Sequence, residues 1–447
     1  MKFPSIHTTN FWLQPIDNSP LILFRIIFGF LLFAEGLGAI LTGWVTRTFV
    51  TPDFTFNFIG LDFLQVFVGP QMYFIYALLG ILGLMIMFGT YYKVAMFSYA
   101  LLWTIVYFAQ KTSYNNHYYL LMLLCWVMFL LPAHRYASYD VRRNPKLVSL
   151  SCPRWMVLFF IIKLWIVYTF ASIAKMYPDW IRAEPMQIWF AAKKHYFLIG
   201  EWLQQDWVQK SIAYNGILFD LLIIPLLLWR RTRIIAVVIS IFFHLSNSAI
   251  FQIGIFPYLM IGSLIFFFPP ETIRQRFFKN KPIFIASAAK ISQITSKQKI
   301  TLSLLSIYFI IQIALPLRHY FYQGNVLWTE EGHRMSWRMM LRSKSGSIYY
   351  TIKNPDTNEQ WIVQPRKHLY WKQAHKLPTR PGMIWQFAQY LKKKHAKEGT
   401  PNVEIYATVY AQLNKRKRQK YINDTIDLAK VEWQRFKHSE WILPLEH

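Results

Sequence analysis

Apolar residues in this chain gather into long runs separated by short polar loops, until about residue 318, where short alternating stretches take over. The runs fall at 21–43, 72–90, 93–110, 117–133, 155–176, 216–229, 233–252, 255–270 and 300–317. A run of about 18 or more apolar residues is long enough to cross a bilayer as a helix. The sixth run is short and the seventh and eighth nearly touch, so the pattern predicts eight or nine transmembrane helices. Between the fifth and sixth, DWIRAEPMQIWFAAKKHYFLIGEWLQQDW is aromatic and mixed in charge, which suits an interfacial or re-entrant helix better than a span.

Beyond residue 318 the periodicity shortens. SGSIYYTIKNPDTNEQWIVQP alternates polar with β-branched or aromatic residues around an Asn-Pro-Asp turn, which predicts a hairpin. GMIWQFAQYLKKKHAKEG predicts a helix stopped by a glycine, and NVEIYATVYAQLN a further strand. The expected fold is therefore mainly α, with a polytopic helical membrane domain over 1–317 and a small α+β domain over 318–447. No internal repeat or low-complexity linker interrupts it.

Composition sharpens this picture. Of the 447 residues, 54% are hydrophobic, beyond what a soluble domain with such runs would carry. The two cysteines, Cys125 and Cys152, sit in an apolar run and a basic loop, so neither a disulfide framework nor a zinc site is expected. A net charge of +27 would suggest nucleic acid in a soluble protein; here positive-inside bias and anionic lipid explain most of it, and no nucleic-acid partner is expected. The start, MKFPSIHTTNFWLQPIDNSP, is unlike a cleavable signal peptide.

The loops set an expected orientation. One side carries Arg135, Arg142, Arg143, Lys146, Arg154, Arg230, Arg231 and Arg233, then Arg274, Arg276, Lys279, Lys281, Lys290, Lys297 and Lys299. The other holds only Arg47, Lys111, Arg182, Lys193, Lys194 and Lys210. The first side is then cytoplasmic, with the N-terminus, and an odd number of spans makes the C-terminal domain extracytoplasmic.

An ionisable or polar side chain in hydrocarbon is costly, and is a functional hypothesis by default. Lys175 closes the fifth run, about 30 Å along the helix from Trp155 at 1.5 Å per residue. Asn116 and His117 open the fourth at the same outer face. His244 lies near mid-membrane on the seventh, with Asn247 and Ser248 one turn further out. Each has a bland reading as well: a snorkelling lysine, a helix-capping histidine, polar glue between helices. Lys163, mid-run, has no partner that the sequence names. The case for function rests on the group sharing one side. Walker, dinucleotide, HExxH, CxxC and GxSxG motifs are missing, which points away from phosphate, metal or thiol chemistry.

Four blocks, KTSYNNHYYL, VYTFASIAKMYPDWI, FHLSNSAIFQIGIFPYLM and LPLRHYFYQGNVLWTEEGHRMSWRMMLRSKS, resemble the vitamin K-dependent gamma-glutamyl carboxylase family with its HTTM-type membrane domain. The likeness runs from the first span through VEWQRFKHSEWILPL near the C-terminus. It implies an integral membrane lyase, in a bacterial inner membrane if the source is bacterial. It uses reduced vitamin K, as phylloquinol or menaquinol, with dioxygen and carbon dioxide as co-substrates and no metal. In the family a lysine deprotonates the quinol, oxygenation gives a strongly basic alkoxide, and this removes a glutamate γ-proton. The carbanion takes up carbon dioxide to give carboxyglutamate, and the quinone leaves as its epoxide. The partners implied are a glutamate-containing peptide or protein and a lipid quinone from the bilayer.

By resemblance, Lys175 is the base, His117 and Asn116 assist at the quinone oxygen, and His244 supports the pocket with Asn247 and Ser248. His319, Trp337, Met339, Met340 and Arg342, with Lys344, fall where glutamate meets the quinone. An apolar site favours the uncharged amine that a general base needs, and excludes water that would quench a strong base. Cationic Arg342 and Lys344 suit a carboxylate.

His333 and Arg334 depart from the tyrosine and glycine of the family, and Lys344 from its arginine, which loses a bidentate fork. The family disulfide has no counterpart. These departures lie on the glutamate side, so a quinol epoxidase without protein carboxylation is the alternative. A non-enzymatic transporter or scaffold is a third reading, opposed by the absence of an inverted repeat.

Overall fold

The computed structural model describes residues 9–251, 253–285 and 294–446. The first eight residues, Gln252 of the seventh run and Lys290 of the cytoplasmic cations lie outside the described residues.

Nine apolar elements run between two ends of a bundle. They are α1 (Ser19–Leu41), α2 (Gln71–Phe88), α3 (Tyr92–Ala109), α4 (Asn116–Leu130), α5 (Trp155–Lys175), α6 (Asp206–Leu228), α7 (Arg233–Phe251), α8 (Phe256–Ser263, prolonged by a 3-10 turn to Phe267) and α9 (Ser296–Leu317). Seven of these helices are long and apolar enough to cross a membrane. An eighth span results if α8 through Phe267 is joined to Pro270–Phe277, from which it is bent by 112°. The bend falls at Pro269–Pro270, where two prolines in succession remove backbone donors and force the preceding residue to extend. Eight, the lower of the two expected counts, is reached in that way. The fourth run is a 15-residue helix that stops before Leu131–Pro132, about 22 Å long and short of a ~30 Å hydrocarbon core. The sixth, short in the sequence, reaches 23 residues because its helix begins ahead of the apolar stretch, at Asp206.

Close approach of α1 and α2 depends on glycine. A Cβ at Gly29 would lie 2.3 Å from the Met87 nitrogen, and one at Gly83 2.4 Å from that of Phe33. Small residues of this kind let membrane helices pack backbone to backbone. One end of the bundle is tied by β1 (Pro15–Asp17) pairing antiparallel with β2 (Ser151–Pro153), and by Lys281, whose Nζ donates to Asp17 at 2.5 Å. Cys125 and Cys152 are buried free thiols. The interfacial segment between α5 and α6 folds as short helices, Pro178–Ile181 and Glu184–Ala191, packed on α6.

At the other end sits the C-terminal region. Its antiparallel sheet has the order β4-β3-β5-β6, with β3 Lys344–Lys353, β4 Gln360–Val363, β5 Glu404–Leu413 and β6 Gln419–Lys420. The predicted hairpin is β3–β4, turned at Asn354–Glu359. The predicted helix is α10 (Pro381–Lys397), ending at Gly399 with φ +91°. Alternate β5 residues Ile405, Ala407, Val409 and Ala411 form one core with Ile384, Phe387 and Leu391 of α10.

The sheet region is clasped to the bundle. Lys111 donates to the Gly382 carbonyl at 3.0 Å, Gln373 to that of Phe54 at 2.6 Å, and Gln386 to that of Asn57 at 3.2 Å. The loops that follow α1 and α3 are thereby held against the sheet region.

Candidate functional site

Two chambers meet at the sheet end of the bundle and share three wall residues, His117, Met339 and Met340.

The first lies among α5, α6, α7 and α8. Its walls are largely aromatic, including Trp180, Trp189, Phe190, Phe243, Phe251 and Phe256. Lys175, the last residue of α5, projects into it because Pro178 stops the helix and Tyr177 turns away to bond the Leu341 carbonyl. Asp220 of α6 meets the Lys175 amine directly, and both side chains are buried, 6% and 11% exposed respectively. This corrects the expectation of purely apolar surroundings for Lys175: its neighbour is a carboxylate. Seven residues before Lys175, and so two turns back on the same face, the Tyr168 hydroxyl lies 2.8 Å from His244 Nε2. His117 opens α4 with its ring stacked on Phe256, centroids 3.8 Å apart. Among the described residues neither of its ring nitrogens is hydrogen-bonded. Asn247 lines the chamber while its amide donates to the Phe243 carbonyl. Ser248 is not in the wall. One residue further round the helix, it faces Tyr258, whose hydroxyl is 3.4 Å away.

The second chamber lies between the start of α4, the segment 330–344 and the turn before α10. It gathers cations: Arg338, Arg342, Lys344, Lys376 and Arg380, against one carboxylate, Glu330. Glu330 contacts Arg342 and lies 2.7 Å from Arg380 and 3.9 Å from Lys344. Burial alone would raise the Glu330 carboxyl. Arg342, Arg380, His333 and Lys344 together outweigh it and hold the group well below the usual carboxylate range. Burial, then Arg342, pushes the His333 imidazole down. Lys376 is lowered to about 7, by burial first and then by Arg380 and Lys372.

The partition between the chambers is a strained strip of backbone. Glu330, Met335, Trp337 and Met340 have φ of +66°, +56°, +57° and +47°. Non-glycine residues seldom adopt this region, and a cluster of them persists only where surroundings over-determine the chain. Here the surroundings are visible. Asn116 accepts from the Tyr114 hydroxyl at 2.8 Å and donates to the Arg338 carbonyl at 2.8 Å, while the Met335 amide donates to Tyr114 at 2.5 Å.

Two expected glutamate-side residues, Trp337 and His319, lie elsewhere, and Lys344 is turned to the back of the cationic wall. Trp337 is in neither chamber: it is buried in the bundle, stacked on Tyr119 at 5.1 Å, with Lys163 Nζ 4.3 Å from its ring centroid. Lys163, which lacked a partner in the sequence, finds Gln312 and this ring. His319 lies outside both walls, held by the Pro316 carbonyl at 2.8 Å and by Arg338 at 2.7 Å. Lys344 is 4% exposed, donating to the Trp328 carbonyl at 2.5 Å and to the Tyr421 hydroxyl at 2.8 Å. Its charge braces the chamber from behind. Asn116 is correspondingly a latch on the strip.

Residues 13–271 match the HTTM domain family. Residues 297–447 match the lumenal domain of vitamin K-dependent gamma-carboxylase. No solved structure matches the chain.

Proposed function

The chain belongs to the HTTM family and carries a vitamin K-dependent gamma-carboxylase lumenal domain, and from that premise we propose that it is a membrane enzyme that oxygenates a reduced lipid quinone to its epoxide and uses that step to carboxylate glutamate. The observation that carries the reading is the pair of chambers joined at His117: an aromatic one holding a lysine, and a cationic one.

The aromatic walls fit a flat, lipid-soluble ring, and Lys175 and His117 are the polar groups that would hold its oxygens. When bound, reduced vitamin K supplies on reaction with dioxygen a base stronger than any side chain. Lys175 Nζ takes the quinol proton from the neutral form of its pair with Asp220, in which the amine's own proton rests on the Asp220 carboxylate. The Tyr168–His244 bond fixes the neighbouring wall. Met339 and Met340 separate quinol from glutamate by one side-chain layer, and their unbranched thioethers adapt to both. The aromatic wall keeps water from the strong base. We place the sheet region outside the cytoplasm, from the cation asymmetry of the loops.

One observation favours a second reading, quinol epoxidation without carboxylation. Glu330 already occupies Arg342, Arg380 and Lys344, the cations best placed for a substrate carboxylate. A single experiment separates the readings. The purified protein is loaded anaerobically with reduced menaquinone or vitamin K, then given oxygen, labelled bicarbonate and a glutamate-rich peptide. Epoxide dependent on Lys175 with label in the peptide supports the full reaction, and epoxide without label supports the second reading. No epoxide from folded protein overturns both.

A further inference from the structure

Lys376 is the last residue of the short helix Trp371–Lys376, and its side chain lines the cationic chamber. Its Nζ donates to one acceptor, the Thr112 carbonyl at 3.0 Å, and among the described residues it forms no ion pair. Lys372, four residues earlier and so on the same helical face, reaches the same turn, 3.3 Å from Ser113 Oγ. Two lysines thus converge on residues 112–113, with Arg380 just beyond and Arg334 adding to the positive field. The facing carboxylate, Glu330, is already engaged by Arg342 and Arg380.

The other amines at this end are differently placed. Lys344 is enclosed by a carbonyl, a phenol and the Tyr421 ring face, 4.1 Å from its centroid. Lys175 is held by Asp220. Among the described lysines that line the two chambers, Lys376 is the one whose amine is neither ion-paired nor enclosed, and it sits among a surplus of cations.

A neutral amine is a nucleophile toward carbon dioxide, and the product is an anion. We propose that Lys376 reversibly captures carbon dioxide as a carbamate, making the cationic chamber a carbon dioxide site. The Nζ lone pair forms the N–C bond, one C=O electron pair moves onto oxygen, and one N–H proton leaves to water. No oxidant or reductant takes part. Arg380, Lys372 and Arg334 stabilise the new carboxylate, and a chamber of about 290 Å³ has room for the small linear gas beside the amine. With its pKa near 7, the amine is largely uncharged at mildly alkaline pH, the state that reacts. As a further step resting on the carboxylation reading above, carbon dioxide held in the chamber reaches a nearby carbanion at high effective concentration.

The test uses resting full-length protein in detergent, without quinol. It is equilibrated with ¹³C-bicarbonate at mildly alkaline pH, then treated with a trialkyloxonium reagent that esterifies carbamates, and its peptides are mapped by mass spectrometry. The expected result is trapped label on the peptide containing Lys376, lost to background in Lys376→Arg, which keeps the charge but not the nucleophile. Label absent from that peptide in folded wild-type protein, or label on other lysines only, overturns the proposal. Should Lys376→Arg misfold, the wild-type map alone decides. Carbamate without epoxide in the quinol assay would overturn the proposed function and leave this site standing; epoxide without carbamate would do the reverse.

Discussion

The two chambers are built from opposite materials. One sets a single amine against a single carboxylate inside an aromatic wall, and the other crowds five cations around Glu330. In the first, charge is scarce, so the one lysine and the one aspartate control any proton that enters. In the second, charge is abundant and only partly offset, so its chemistry depends on the cations that Glu330 leaves free. The same contrast separates two lysines of α5. Lys175 meets an acid at the chamber, whereas Lys163 meets an amide and an indole in the closed bundle.

The sharpest way to break this comparison is to remove the amine. Lys175→Ala should lower epoxide formation by about 10²–10⁴-fold, the usual worth of a positioned general base. Lys163→Met, which deletes the other buried amine of α5 with similar volume, should leave a residual rate far above that of Lys175→Ala. Both rates are read by chromatography of quinone products in single-turnover reactions. Equal loss in the two variants would mean that the aromatic chamber is not where the proton is taken.

The second effect belongs to Glu330. Glu330→Gln leaves Arg342, Arg380 and Lys344 facing one another without their anion, and removing one partner of a buried ion pair typically costs about 3–5 kcal/mol. Denaturant unfolding of the detergent-solubilised protein should show that loss. If the cations serve a substrate carboxylate, added glutamate peptide should restore part of the stability to the variant and little to the wild type.

The same carboxylate sets an acid limit. Its proton is bound more weakly in the folded chain than in the unfolded one, so the unfolded chain takes up protons first as pH falls. The stabilisation is complete above the ordinary glutamate value of about 4.3. It declines below that and is lost as pH falls through the depressed folded value. Acid titration of thermal stability should therefore show wild type and Glu330→Gln converging below about pH 4. A constant gap down to the acid limit would contradict the assignment.

Much of this was legible in the sequence, for definite reasons. Apolar runs report helices because hydrocarbon tolerates little else, and the alternation in SGSIYYTIKNPDTNEQWIVQP and NVEIYATVYAQLN is the two-residue period of β3, β4 and β5. Lys175, His117 and His244 stood out as polar groups in or beside apolar runs. Asp220 carried the same signal, an acid inside the sixth run, and its pairing with Lys175 became visible only when α6 was laid against α5. Glu330, Lys376 and Arg380 carried no such signal. They lie in polar sequence, where a charge is unremarkable, and only tertiary packing brings positions 50 residues apart, such as Glu330 and Arg380, into contact. Trp337 and Ser248 were misplaced for a related reason: sequence spacing fixes a neighbourhood but not the direction of a side chain, least of all where φ is positive.

A smaller effect tests the latch between the chambers. Asn116→Ala removes the amide that holds the Arg338 carbonyl and leaves that carbonyl unsatisfied in a partly buried place. The expected cost is about 1–3 kcal/mol. If Asn116 acts as the latch on the strip, the variant should lose coupling more than epoxidation: epoxide still forms, but less label enters the peptide per epoxide made. A proportional fall in both would place Asn116 at the quinone oxygen instead.

The smallest predicted effect concerns Trp337, the residue that the structure moves from the substrate to the bundle. Its ring covers Lys163 at 4.3 Å and stacks on Tyr119, while its own backbone is strained at φ +57°. Trp337→Phe keeps an aromatic face over the amine but a weaker one, and a cation–π contact is worth about 0.5–2 kcal/mol in total. The substitution should therefore lower stability by less than about 1 kcal/mol, with affinity for quinol unchanged in equilibrium titration. Lys163→Met should erase most of the difference between Trp and Phe at position 337, since the cation that distinguishes them is gone; a double-mutant cycle reads that coupling directly. Coupling near zero would mean that the indole is held by Tyr119 and the strip alone. A change in quinol affinity would return Trp337 to the substrate side, and the partition between the chambers would then have to be drawn one residue deeper.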